Sequence, residues 1–267
     1  AGIRPSYIAS VVADDGPGVL YADVVLSQPP VMVLLGAMTW MIDGSIEALR
    51  VLGVVMAGIT AMLTWWVGRS VGLSPWGATA ATVIAATGVV RTLFGGLDGE
   101  MLLTPLALVL VLLLLGNRLR WAAVVLGIGF LIKMTWALIA LAGLIVIVRQ
   151  SRRDGLIAVG VSGAVWFGGW IVGALAFGWP VSSILEQLVI AQRQAGLQPG
   201  LAAGVAIILA LVWLPLLIPA GAAIRRVPFP VAAILVGALA GIVYTLKQGT
   251  FFNVLGPAEP LLAIVAT

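Results

Sequence analysis

The sequence predicts an all-α fold: a polytopic transmembrane helix bundle of about eight to ten membrane helices, with juxtamembrane helices on the outer face. Three observations predict it. Of 267 residues, 62% are hydrophobic and only 9% are charged, where a soluble domain holds about 45–50% and about 25%. The mean hydropathy is +1.18. The apolar residues also come in long runs, near 48–68, 74–95, 101–117, 121–148, 156–178, 201–223, 229–246 and 257–267, and about 20 apolar residues cross a bilayer. This composition excludes a water-soluble globular protein, a nucleic-acid-binding domain and a disordered chain. The chain begins at Ala1 and stops inside an apolar run at Thr267, so it is expected to be a fragment of a longer membrane protein.

The first 29 residues are mixed and punctuated by Gly and Pro, and Asp14-Asp15-Gly16-Pro17-Gly18 has turn composition. Pro29-Pro30 opens a short apolar stretch from Val31 to Ile42 that ends at Asp43. A stretch of about a dozen residues is too short to span, so it is expected to be an interfacial or re-entrant helix. Asp43, Glu47 and Arg50 follow at i, i+4 and i+7, which on one helix would share a face. They line a site or form an ordinary solvated turn with helix-end ion pairs.

Basic clusters separate the later runs: Arg69, then Arg118 and Arg120, then Arg149, Arg152 and Arg153, then Arg225 and Arg226. The net charge of +4 is therefore topogenic, and the positive-inside rule puts these corners in the cytoplasm. Residues 1–47, 91–100, 179–200 and 247–256 then lie outside, in an arrangement expected for a multi-pass protein of the plasma (inner) membrane. Residues 121–148 carry basic clusters at both ends and must cross an even number of times, yet they are too few for two full spans. Two short helices meeting near Lys133, Met134 and Thr135 satisfy both constraints; a single tilted helix is the alternative. Residues 179–200 include Ile184, Leu185, Leu188 and Ile190 among Glu186, Gln187, Gln192, Arg193 and Gln194. That mixture predicts an amphipathic helix in the interface plane, either a gate beside a lipid-facing cleft or a connector.

All the acids except Asp154 (Asp14, Asp15, Asp23, Asp43, Glu47, Asp98, Glu100, Glu186 and Glu259) fall on or near the outer side in this topology. There is no Cys and no His, which excludes thiol, triad and zinc chemistry. No phosphate-binding loop of the Walker type is present, which argues against a nucleotide motor. Trp65, Trp66, Trp76, Trp121 and Trp179 lie near predicted span ends, as belt anchors do.

The stretch Gly18, Tyr21, Asp23, Gln28, Pro29 and Pro30 resembles the first outer loop of the GT-C membrane glycosyltransferases, in particular the protein O-mannosyltransferase and lipid A aminoarabinose transferase group (glycosyltransferase family 39-like). Such loops carry a G-x-x-Y-x-D run and then a K/H/Q-P-P that opens a juxtamembrane helix. Asp43-Gly44, Ala48-Leu49-Arg50 and Gly68-Arg69 are similar to the next landmarks. So are Asp98-Gly99-Glu100, Gly127 to Lys133, Gln187 to Gln192, and Phe252, Asn253, Pro257 and Pro260. The similarity runs over nearly the whole chain.

The resemblance implies one GT-C-like transmembrane domain over residues 1–267, lacking its first transmembrane helix and its C-terminal part, with residues 1–47 as the first outer loop and juxtamembrane helix. It implies an enzyme that moves a sugar from a polyprenyl-phosphate carrier to a glycan, lipid or protein acceptor at the outer face. Its partners would be that donor, the acceptor and membrane lipid, with no nucleic acid. No cofactor is expected; carboxylates leave room for a divalent metal, but this family branch is not built around one. The family's main catalytic acid follows its first transmembrane helix, and here Arg4-Pro5-Ser6-Tyr7 stands where that motif is expected, with no Asp-Glu pair before it.

Glycosyl transfer needs a carboxylate for the acceptor hydroxyl and donors or cations for the departing phosphate. Asp23, Asp98 and Glu100 are the expected catalytic carboxylates, and Asp14, Asp15 and Tyr21 the acceptor or loop residues. The ordinary roles of the first three are caps: Asp23 before the following helix, and Asp98 with Glu100 at a helix N-terminus. Arg91 and Lys133, with Gln28, are the expected donor-phosphate ligands. Gln28 departs from the Lys or His common in relatives. Lys133 lies in an apolar region, where a cation costs roughly 3 kcal/mol on insertion scales and faces a cavity or partner, unless it snorkels from a helix end. The alternatives to a transferase are a transporter or flippase for a lipid-linked or small polar substrate, which should show discontinuous helices and internal repeats, and a non-catalytic lipid-binding fragment.

Overall fold

The computed structural model describes residues 31–43, 46–87, 99–186, 197–246 and 255–267. Every regular element there is helical. In chain order these are α1 (Val31–Asp43), α2 (Ile46–Ser70), α3 (Pro75–Ala86), α4 (Gly99–Leu115), α5 (Leu119–Ile132), a 3-10 turn (Met134–Trp136) and α6 (Ala137–Gln150). They are followed by α7 (Arg152–Phe177), a short α8 (Val181–Leu185), α9 (Pro199–Ala223), α10 (Phe229–Ala240) continued by a 3-10 segment (Gly241–Leu246), and α11 (Ala258–Ala266). The apolar runs of the sequence are thus helices, and α2 and α7, at 25 and 26 residues, are long and apolar enough to cross a membrane. The helix at Val31–Asp43 lies where the Pro-Pro-led apolar stretch predicted it and packs on α2. At 13 residues it reaches only about 20 Å.

The arginine-bearing corners are tight, and local chemistry closes them. After α2, Gly72 adopts φ +96°, Leu73 N–H donates to Gly68 O at 3.0 Å and Gly72 N–H to Arg69 O at 3.2 Å. After α4, Asn117 takes φ +53°, Arg118 N–H donates to Leu113 O at 2.8 Å and Asn117 N–H to Leu114 O at 3.2 Å. Both are Schellman endings, which satisfy the last carbonyls and turn the chain sharply. Ser74 then caps α3, accepting from Gly77 N–H at 3.0 Å with Pro75 in the first turn. Ser151 caps α7 by accepting from Asp154 N–H at 3.2 Å.

The core lies between α4, α5, α6, α10 and α11. Helix α11 is enclosed, with Ala258 through Val265 all buried. Helices α7 and α9 sit at the periphery and present Leu156, Phe167, Leu175, Leu211 and Ile218 outward. An apolar exterior over an apolar core is the pattern a bilayer solvent requires.

Several expectations change. Asp43 is the last residue of α1 while Glu47 and Arg50 stand on α2, and Gly44-Ser45 between them lies outside the described residues. Trp179 is no belt anchor: it is 5% exposed and packs on Gly173, edge-on to Trp170 at 6.2 Å. Gly178, at φ +68°, ends α7 in the left-handed region and turns the indole back onto the helix. Trp65, Trp66, Trp76 and Trp121 are exposed as anchors should be. Glu259 is not a solvated outer acid. It is 3% exposed and accepts a hydrogen bond from Trp213 Nε1 at 3.4 Å, and Trp213 lies near the middle of α9. The predicted interfacial helix over 184–194 is described only at its start, as α8 and Glu186; residues 187–196 lie outside the described residues.

Candidate functional site

The corner at Lys133 is the best-defined polar feature among the described residues. Helix α5 ends at Ile132, Lys133 is extended (φ −161°, ψ 141°), and Met134–Trp136 makes one 3-10 turn before α6 starts. Lys133 N–H donates to Gly129 O at 3.0 Å, and Lys133 O accepts from Trp136 N–H at 3.2 Å. Trp136 is wholly buried, its Nε1 donates to Leu126 O at 3.1 Å, and its ring covers Gly129 so closely that no Cβ would fit there. On the far side of the turn, Gly143 of α6 packs against Leu126 of α5. Residues 121–148 are therefore a hairpin, and the basic clusters at its two ends face the same way. The single tilted helix does not form.

Depth follows from the partner helix. Ser162 Oγ of α7 donates to Ala123 O of α5 at 2.8 Å, Gly127 rests on Ser162 and Val165, and Leu131 rests on Gly169. The two helices run in parallel with an offset that levels Lys133 with about Ile171. At about 1.5 Å per residue, Lys133 stands roughly 28 Å from the Arg152 end of α7 and roughly 9 Å from its Phe177 end. That is the part of the bundle farthest from the arginines, near the headgroup level of the other leaflet.

The corner is rich in hydrogen-bond donors. Lys133 is partly buried. Next to it, Thr135 Oγ1 is buried with no hydrogen-bonding partner among the described residues, and so is Trp166 Nε1 on α7. The Trp166 ring meets Phe130 of α5 at 6.4 Å and Phe167 at 4.6 Å, which ties it to the last turn before Lys133. A buried polar group without a partner costs about 1–3 kcal/mol. An ammonium, a hydroxyl and an indole N–H at one end of two packed helices suit an oxyanion.

Of the other residues expected at the site, Asp14, Asp15, Tyr21, Asp23, Gln28, Arg91 and Asp98 lie outside the described residues. Glu100 is the second described residue of α4. Glu259, expected on or near the outer side, is a buried carboxylate. Its signal in sequence was a lone carboxylate between Pro257 and Pro260 at the head of an apolar run.

No family model matches the chain, and no curated protein matches it. Solved structures do. The chain is similar to ArnT from Cupriavidus metallidurans bound to undecaprenyl phosphate, at 15% identity and a TM-score of 0.70 over 98% of this chain and 54% of that one. It is similar to the apo state of the same protein at 14% identity and a TM-score of 0.71, over 99% and 54%. The likeness is one of fold, and it extends over nearly the whole of this chain. The chain spans about half the length of the ArnT chain it matches.

Proposed function

We propose that this chain is the transmembrane core of a membrane glycosyltransferase that takes a sugar from a polyprenyl-phosphate donor and passes it to an acceptor at the extracytoplasmic face. The observation that carries this reading is the shared fold, over 98% of the chain, with ArnT, a protein solved with undecaprenyl phosphate. The donor-rich corner at Lys133 supports it by chemistry, because it stands at the depth where a lipid phosphate sits. In this reading Lys133 binds the donor phosphate, assisted by Arg91 and Gln28. Asp23, with Asp98 or Glu100, orients and deprotonates the acceptor hydroxyl, and Asp14, Asp15 and Tyr21 shape the acceptor loop.

A transporter is the second reading, since a discontinuous helix is also a transporter feature. The break here differs in kind. The chain reverses at Lys133 and returns to its starting face, whereas an interrupted transporter helix continues across the membrane. The test uses the full-length protein reconstituted with a polyprenyl-phosphate-linked sugar, scoring both sugar release or transfer and movement of the lipid across the bilayer. Asp23→Asn should abolish transfer and keep lipid binding, whereas Lys133→Ala should raise the donor KM about tenfold or more, with partial rescue by Lys133→Arg. Lipid movement without transfer would overturn the transferase in favour of a flippase. Wild-type transfer by Asp23→Asn would remove Asp23 from the mechanism.

A further inference from the structure

The guanidinium of Arg149, at the end of α6, lies 4.3 Å over the ring of Phe229, at the start of α10. This contact ties together two basic segments that are far apart in sequence. Arg152 and Arg153 open α7 three and four residues after Arg149, and Arg225 and Arg226 precede Phe229 by four and three. All five guanidinium-bearing residues are exposed. The acid in these two segments is Asp154, and it sits in the first turn of α7, where the helix dipole favours negative charge. Five like charges within four residues of one contact repel one another, which an anion of matching charge relieves. Arg149 is also held in place by the ring, so its N–H edge is oriented in advance.

We infer that this corner is a binding site for an anionic phospholipid carrying two phosphates, taken from the leaflet on the arginine face. The location argues for a lipid over a soluble anion. The corner marks the membrane boundary, and directly beyond it Val148 on α6 and Leu156 on α7 expose apolar side chains along which acyl chains can run. Two phosphates match a cluster spread over two segments, because each can engage one arginine pair while Arg149 lies between them. Among the described residues no ring holds Arg118 or Arg120 at the α4–α5 corner as Phe229 holds Arg149, so these two form the internal control.

The experiment is native mass spectrometry of the purified full chain in detergent, with cardiolipin, phosphatidylglycerol or phosphatidylcholine titrated in turn. One cardiolipin should be retained in preference to the other two. Arg225→Gln with Arg226→Gln should weaken that retention about tenfold or more, while Arg118→Gln with Arg120→Gln leaves it unchanged. Arg149→Lys keeps the charge, sits at the same helix end and should still weaken binding, because a flexible ammonium lacks the stacked, bidentate geometry. Equal retention of the three lipids would overturn the proposal. So would equal loss in both double variants, which would reduce the corner to unspecific surface charge. Melting temperatures of the lipid-free variants separate lost binding from lost folding, and Arg149→Lys remains a test if the double variant unfolds.

Discussion

Trp136 does two things at its corner: its ring covers Gly129, and its Nε1 gives Leu126 O a second hydrogen bond inside the bundle. Removing only the hydrogen bond, as in Trp136→Phe, should cost about 0.5–1.5 kcal/mol, because Leu126 O keeps its partner within α5. Trp136→Ala also opens a cavity and should cost about 3–5 kcal/mol. Gly129→Ala attacks the same contact from the other side, since a methyl there overlaps the indole, and should cost about 1–3 kcal/mol by overpacking. Thermal or SDS-induced unfolding in micelles orders the three. If Gly129→Ala melts like the wild type, the ring does not cover Gly129 as described. The backbone of Lys133 is hydrogen-bonded on both sides, to Gly129 O and from Trp136 N–H, so backbone bonds and the Trp136 ring hold the turn. A Lys133→Ala protein should therefore stay folded.

Between helices, glycine sets how closely backbones approach. A Cβ on Gly127 would stand 2.7 Å from Ser162 O and 2.7 Å from Val165 Cβ, a carbonyl and a β-branched side chain that have nowhere to move. Gly127→Val should thus push α5 from α7, break the Ser162–Ala123 hydrogen bond and destabilise by about 1–3 kcal/mol. Gly160→Ala and Gly163→Ala on α7 are the counterparts, because a Cβ there meets nothing within 4 Å. They should leave stability unchanged or raise it slightly through helix propensity; a loss as large as that of Gly127→Val would refute the packing explanation. These elements were legible to different degrees. Run length and charge parity were enough to find the hairpin: 121–148 had to turn between two basic ends, and it turns at Lys133. The burial of Trp179 was not legible, because it depends on Gly178 adopting a positive φ and returning the ring to Gly173. Nor was the depth of Glu259, which is set by how α11 packs against α9 and leaves no periodic trace in sequence. Most of the candidate site rests on motif order in segments that lie outside the described residues, so Lys133 and Glu100 are the site residues whose positions are described.

At the scale of the whole molecule, the contacts give the bundle two distinct ends. Arg149 meets Phe229, Gly155 packs on Val148, and Ser162 reaches Ala123, so the basic corners of α5, α6, α7 and α10 share one end. Lys133 and the Phe177 end of α7 share the other. The positive-inside rule predicts that the arginine end is the cytoplasmic one, because arginines near span ends are retained there. The orientation decides the chemistry: a donor phosphate at Lys133 is reached from outside only if the arginine end is inside. These 267 residues include no cysteine, so single cysteines introduced among them can be labelled in intact cells with an impermeant maleimide. Positions 14–18 and 192–196 should label from outside. Positions 118–120 and 152–153 should label only after the membrane is opened, and they should behave alike although α5, α6 and their reversal at Lys133 lie between them. Opposite behaviour of 118–120 and 152–153 would mean an odd number of crossings, which the hairpin forbids. Outside labelling of both sets would preserve the fold, invert the bundle, and place Lys133 on the cytoplasmic side, where an extracytoplasmic transfer could not use it.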